Sequence, residues 1–426
     1  MEGCPFLRGR TRGETNLEQS ILGRIDRYED LAIDLQRGLV SIPAIAPSNG
    51  GTGELDKAEW LQERLEELPF DRLERLDAPD PAAKGGVRPN LVARWNGLDP
   101  DRTLWIVGHL DVVPPGQLGL WKTDPFALRV EGRRLYGRGV EDNHQGMIAA
   151  ILAARSLMQE KLRPPTNLAL LFAADEETGN RFGTDFLVDH YPEMFGKHDS
   201  FIVPDCGKAD ATLVEISEKS VLWLRIRTLG RQSHAAVPER GRNALVAASD
   251  LIVKLHELRH RFDKVDPLFV PPTSTFVATK REANVPNINT IPGEDVFYMD
   301  CRILPGYTIA EVMGALEDLS RPIARKYQVA FEFDPVYVFE SAAPTPVESP
   351  VVREVMGAIQ TVYGVRSTPA GIGGGTMAAN FRRLGLSAAV FSRVENTAHQ
   401  PDECCNLDNL LGDAKVFALA SFRLRG

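Results

Sequence analysis

Four apolar runs separated by segments of helical spacing limit what this chain can fold into. NLVARW (90–95), TLWIVGHLD (103–111), NLALLFAA (167–174) and SFIVPD (200–205) read as strands. Between the second and third lies GMIAAILAARSLM (146–158), a buried helix that follows the Gly-rich turn YGRGVEDNHQG (136–146). Upstream, apolar residues recur at helical spacing from Asn16 to about Val40 and from Glu54 to Leu68. Strands that alternate with helices indicate an α/β layer around a mostly parallel sheet.

The pattern changes near Lys219. SVLWLRIRTL (220–229) alternates like a half-exposed strand, and ALVAASDLIVKLHELRHRF (244–262) is an amphipathic helix. Two strands, TSTFVATKREA (273–283) and EDVFYMDCRIL (294–304), precede a second helix, 309–327, and a last strand, 329–339. This β-α-β-β-α-β order is that of the ferredoxin-like sandwich. The α/β pattern resumes after the Pro-rich SAAPTPVESP (341–350), with the loop GIGGGT (371–376) and the strand SAAVFS (387–392). The expected organisation is a flexible head at 1–15 and a large α/β domain over 16–218 and 339–426. A small α+β domain, 219–338, is inserted into it. At 426 residues the chain is too long for one ordinary core, which suggests two domains.

No run reaches the ~18 apolar residues of a membrane span, and the basic head lacks the apolar core of a secretory signal. A net charge of −9 argues against nucleic-acid or acidic-membrane partners. The five cysteines form no CxxC pair and no disulfide framework, which points to a reducing cytoplasm. Any metal must therefore be held by imidazole and carboxylate.

Such groups gather where an open parallel sheet binds ligands, beyond the carboxyl ends of its strands. The strand 103–111 delivers His109 and Asp111, and the turn before the buried helix delivers Asp142. The acids Asp175, Glu176 and Glu177 leave the third strand, Asp205 leaves the fourth, and His399 follows SAAVFS. Taken singly, Asp142 could cap a helix and Asp205 could serve a turn. Together they suit zinc, or cobalt or manganese in the same geometry. They exceed the needs of one tetrahedral ion, whereas two ions ~3.5–4 Å apart sharing a carboxylate would use about this many. The HxD spacing puts His109 and Asp111 on one side of an extended chain, so Asp111 is expected to accept the second ring N–H of His109. Asp175 is expected to make a turn hydrogen bond, and His144 to face solvent at its helix start.

GHLDVVPPG, LYGRGVEDNHQGM, AADEETGN, VPDCG and AHQPDE occur in one order. In that order they resemble the di-zinc metallohydrolases related to acetylornithine deacetylase and succinyl-diaminopimelate desuccinylase, a family that includes aminoacylase and bacterial glutamate carboxypeptidase. The resemblance runs over nearly the whole chain from about residue 30. It implies that His109, Asp142 and Asp205 hold one metal and that Asp142, Glu177 and His399 hold the other, with Asp142 bridging. It also implies a cis peptide between Asp142 and Asn143, and Glu176 as the general base that activates the attacking water and protonates the leaving amine. Asp111 would support His109 in catalysis.

The inserted domain resembles the family's lid and dimerisation domain. GRQSHAAVPERGRNA implies that His234 reaches a neighbouring subunit's site and stabilises an oxyanion. NINTIPGEDVFYMDCR implies Asn289 and Arg302 as binders of a substrate carboxylate, and the glycine loop implies Gly374, Gly375 and Thr376 near the substrate. Two departures stand out: many members read D-x-K-G where this chain has Asp142 followed by NHQG, and Asp where it has Met377. The implied activity is hydrolysis of an N-acyl amino acid by a homodimer with two metal ions per chain, or, as an alternative, cleavage of dipeptides or of a C-terminal residue. A non-catalytic relative that binds amino-acid derivatives would have lost a ligand or the base, and neither is lost.

Overall fold

The computed structural model describes residues 12–425, which form two compact units. The first comprises the chain up to Ile216 with Thr345–Ala370 and the residues from Thr376 on; the second comprises Ser217–Pro344 and Gly371–Gly375. Most of the expected flexible head lies outside the described residues. Residues 12–15 fall within a helix, Arg12–Ile25. Arg425 donates to Glu14 in its first turn at 2.8 Å.

An eight-stranded sheet organises the first unit. Its strands run in the order Arg72–Pro79, Val87–Trp95, Thr166–Ala173, Asp99–His109, Ser200–Gly207, Ser387–Ser392, Leu213–Glu218 and Thr368–Ile372. The middle four are mutually parallel and the pairs outside them, where registers are resolved, are antiparallel. This is the expected mostly parallel α/β layer. His109 stands opposite Ala173, so two strands release their ligand-bearing segments at one level of one edge. Buried Val92, Trp105, Leu171, Phe201 and Val390 share a core with Phe381.

The helix His144–Gln159 is buried almost throughout and packs on the helix Leu407–Arg423 and on the Asp99–His109 strand. Gly146 permits this approach, since a Cβ there would stand 2.5 Å from the carbonyl oxygen of Pro204. The helix start is thereby held against the strand that carries Asp205, and Asn143 Nδ2 adds a bond to the same carbonyl at 2.6 Å.

The second unit is a four-stranded antiparallel sheet in the order Thr275–Arg281, Glu294–Ile303, Ser220–Leu229, Ala330–Phe339. With the helices Ala244–Lys254, continued by the short Leu258–Arg261, and Ile309–Tyr327, this is the expected ferredoxin-like sandwich. Leu222, Leu224, Phe297, Met299 and Leu316 belong to a core of its own.

Candidate metal centre

Asp142 lies between two imidazoles and turns one carboxylate oxygen to each. His109 Nε2 is 2.9 Å from Oδ1 and His399 Nε2 is 3.2 Å from Oδ2. Glu177 Oε2 is 3.1 Å from His399 Nε2, and Asp205 Oδ1 is 3.7 Å from His109 Nε2. One donor atom each of His109, Asp142 and Glu177 falls within a 4.8 Å set. His109 and Asp205 lie on two parallel strands, Asp142, Glu177 and His399 lie on turns and a loop, and the peptide from Asp142 to Asn143 is cis.

His109 is fully buried, and its Nδ1 lies 3.0 Å from the backbone carbonyl of Asp111. A carbonyl can only accept, so Nδ1 carries a proton and Nε2 is the nitrogen presented to Asp142 and Asp205. The expected bond to the Asp111 carboxylate is corrected here: Oδ1 stands 3.5 Å away. That carboxylate instead accepts the backbone N–H groups of Glu176 at 3.1 Å and Glu177 at 3.0 Å. The turn after the strand supplies those two donors, and they draw the carboxylate off the ring.

The electrostatics ask for positive charge. Burial opposes a charged His109, yet the surrounding carboxylates of Asp111, Asp142 and Asp205 raise its pKa well above the ordinary imidazole value. His399 is pushed up to about 10 by its bonds to Asp142 and Glu177. Burial, then Asp205, raises Glu176 well above the usual carboxylate range; burial, then Asp142, raises Glu177 to about 7. Among the described residues no Lys or Arg pairs with Asp142, Glu176, Glu177 or Asp205. Four carboxylates and two imidazoles, with no thiolate and no fixed cation, form a donor set that fits divalent ions of the zinc, cobalt and manganese kind. A bound cation would draw these acids back to their ionised forms.

Asp175 completes a turn, as its sequence position suggests. It has φ +63° and accepts from Thr178 Oγ1 and from Phe182 N–H at 3.1 Å. Behind it lie residues that the sequence does not single out. Arg88 forms a two-pronged pair with Glu54 and reaches Asp175 at 3.3 Å, and all three are buried. His144 corrects another expectation: it is buried, not solvent-facing, and its Nε2 is 2.9 Å from the equally buried Lys57 Nζ. Burial pushes Lys57 down to about 7 against the pull of Asp111 and Glu54, and pushes His144 well below the usual imidazole value. Nothing local marks these groups. A Lys or Glu at helical spacing reads as a solvated face, and its partners are far off in the chain.

The remaining expected residues divide between the two units. In the second unit, His234 and Asn289 are exposed neighbours: His234 pairs with Thr290, and Ala235 N–H donates to the Asn289 carbonyl at 2.8 Å. Arg302 is no free surface group, since it donates to Asp300 at 2.9 and 3.0 Å and to the Gly373 carbonyl at 2.8 Å. Gly374 and Gly375 follow that carbonyl. Thr376, in the first unit, is buried, and its hydroxyl accepts Ala378 N–H at 3.2 Å. Met377 belongs to the first unit's core.

The profile of Peptidase family M20/M25/M40 matches residues 105–422. An uncharacterized metallohydrolase of Methanococcus maripaludis is 36% identical over 407 residues, covering 91% of this chain and 98% of that one. A succinyl-diaminopimelate desuccinylase of Cereibacter sphaeroides is 30% identical over 377 residues, covering 87% and 93%. Among solved structures, an M20 family metallo-carboxypeptidase from Sulfolobus solfataricus matches with a TM-score of 0.71 at 20% identity, over 92% of this chain and 99% of that one. At that identity the likeness is one of fold.

Proposed function

The chain belongs to peptidase family M20/M25/M40 and is a metallohydrolase, and from that premise we propose that it hydrolyses the amide bond of an N-acyl amino acid. The reading is supported by its similarity to a desuccinylase over most of both chains. The observation that carries the chemistry is the Asp142 carboxylate set between His109 and His399, with Glu176 and Glu177 on the adjoining turn.

His109, Asp142 and Asp205 would hold one divalent ion, and Asp142, Glu177 and His399 a second; zinc is the first choice, with cobalt or manganese suited to the same donors. When bound, such a pair supplies Lewis acidity to the amide carbonyl and to water. Glu176 then takes the proton of the attacking water and returns it to the departing amine nitrogen. Asp111 keeps Glu176 and Glu177 in place through their backbone N–H groups. His234 would donate to the oxyanion from a neighbouring subunit of a homodimer, Asn289 and Arg302 would hold the substrate carboxylate, and Gly374, Gly375 and Thr376 would line the loop near the substrate. A cytoplasmic setting belongs to the same proposal; no described helix is long and apolar enough to cross a membrane, and Cys206, Cys301, Cys404 and Cys405 are free thiols.

Two measurements test this. A panel of succinylated and acetylated amino acids beside dipeptides should give the highest kcat/KM on an acylated amino acid; faster dipeptide cleavage would move the proposal to a peptidase. Glu176→Ala should retain bound metal and lose about 10²–10⁴-fold in kcat. An active Glu176→Ala enzyme would remove the base assignment.

A further inference from the structure

Two buried carboxylates bind the Asp142 turn and the His399 loop to each other, and each comes from the segment that the other grips. Glu403, four residues after His399, is fully buried. It accepts the backbone N–H groups of Gly139 at 3.0 Å, Glu141 at 2.9 Å and Asp142 at 3.1 Å, and Arg138 Nη1 at 2.6 Å. Glu141, buried beside Asp142, reaches the opposite way. One of its oxygens accepts Thr397 N–H and the other Glu395 N–H, both at 2.9 Å, and Thr397 Oγ1 adds a third bond at 3.2 Å.

The residue between those two donors is Asn396, with φ +61°, and His399 itself has φ +63°. Residues with side chains seldom adopt this left-handed region, and such a turn persists where its surroundings over-determine it. The two oxygens of Glu141 hold the N–H on either side of Asn396. Other side-chain ties on this turn run from Thr397 Oγ1 to the Cys404 backbone and from Gln400 Nε2 to the Asn396 carbonyl at 3.0 Å, and neither takes up those two N–H groups. Glu403 grips the backbone of Asp142 and leaves this turn untouched. His399 is the most exposed of the five donors, with 54% of its side chain accessible, so packing alone does little to aim it.

We infer that Glu141 is a positioning residue: by holding the left-handed turn at Asn396 it sets the approach of His399 to Asp142 and Glu177. It thereby sets the affinity of the metal position that those three side chains form. This rests on the two-ion reading above. Glu141 touches neither substrate nor metal, and it acts through the backbone of the loop.

The test strips the full-length protein of metal and titrates Co²⁺ into wild type and Glu141→Gln, followed by calorimetry and visible absorption, with thermal melting alongside. Glutamine has nearly the same shape but one acceptor oxygen for two N–H donors. Wild type should take up two ions. Glu141→Gln should keep one binding constant and weaken the other 10–100-fold, with turnover recovering as Co²⁺ is raised. Rescue by metal separates positioning from a general loss of fold. Two wild-type constants in Glu141→Gln, or an equal weakening of both, would overturn the inference. Uptake of fewer than two ions by wild type would bring down the two-ion reading itself. Should Glu141→Gln fail to fold, Glu141→Asp keeps both acceptor oxygens but draws them back by one methylene, and it should weaken the same constant several-fold; unchanged constants there overturn the inference equally.

Discussion

Asp111 divides its work between backbone and side chain. Its carbonyl fixes the His109 tautomer at 3.0 Å, while its carboxylate receives two N–H groups from the acid turn. An Asp111→Asn change leaves the first role intact, because the backbone is unaltered. It harms the second, since the new NH₂ faces one of two buried donors. An unsatisfied buried donor costs about 1–3 kcal/mol, and supporting groups around a metal are commonly worth 10–100-fold in affinity or activity. Asp111→Asn should therefore lose about 1–3 kcal/mol in urea denaturation and about 10–100-fold in kcat. His109 should still bind metal. Wild-type kcat in that variant would show that the carboxylate does not hold Glu176.

The turn at the exit of the Thr166–Ala173 strand depends on a charge pair from two other elements. Glu54 precedes the helix Leu55–Glu66, Arg88 lies on the strand Val87–Trp95, and together they brace Asp175. Removing one partner of a buried pair leaves the other uncompensated, at about 3–5 kcal/mol. Arg88→Met should cost about that much in chemical denaturation, and Glu54→Gln added to it should restore part of the loss. A cost below about 1 kcal/mol, the value of an exposed pair, would mean that water reaches the pair. This brace also marks where sequence reading stops. Strands and helices are legible because their apolar residues repeat with the period of the element, and the acids of the candidate site stand out because they follow a strand of the sheet or, for Asp142, the turn before the buried helix. Lys57, Glu54 and Arg88 are legible in neither way. Their burial is decided by partners 34 to 87 positions off, and the surrounding pattern is that of any solvated face. The burial of His144 escapes the sequence for the same reason, since a helix start looks exposed until Lys57 and Gly139 close over it.

At the scale of the molecule, the site loops and the second unit draw on different sources of stability. The second unit has its own apolar core, with Leu224, Phe297 and Leu316 at its centre, and none of the proposed metal donors. The first unit gathers four carboxylates around His109 and His399, and a bound cation would offset the repulsion that the two imidazoles leave. Ligands that bind the native state alone stabilise it by RT ln(1 + [L]/Kd), about 2.7 kcal/mol per site at a free concentration of 100 Kd. That gain falls on the segments that supply the donors, since local openings there must release the metal. Adding Zn²⁺ to metal-stripped protein should slow amide exchange at 109–111, 175–178 and 395–399. Strands 220–229 and 294–303 should exchange as before, because they bind no ion and their core is complete without one. Chelation should likewise lower the melting transition of the first unit and leave the exchange of those two strands unchanged. Equal protection of both units by Zn²⁺ would show that metal binding energy is shared across the whole chain, and the assignment of the site as a local brace on one sheet edge would fall.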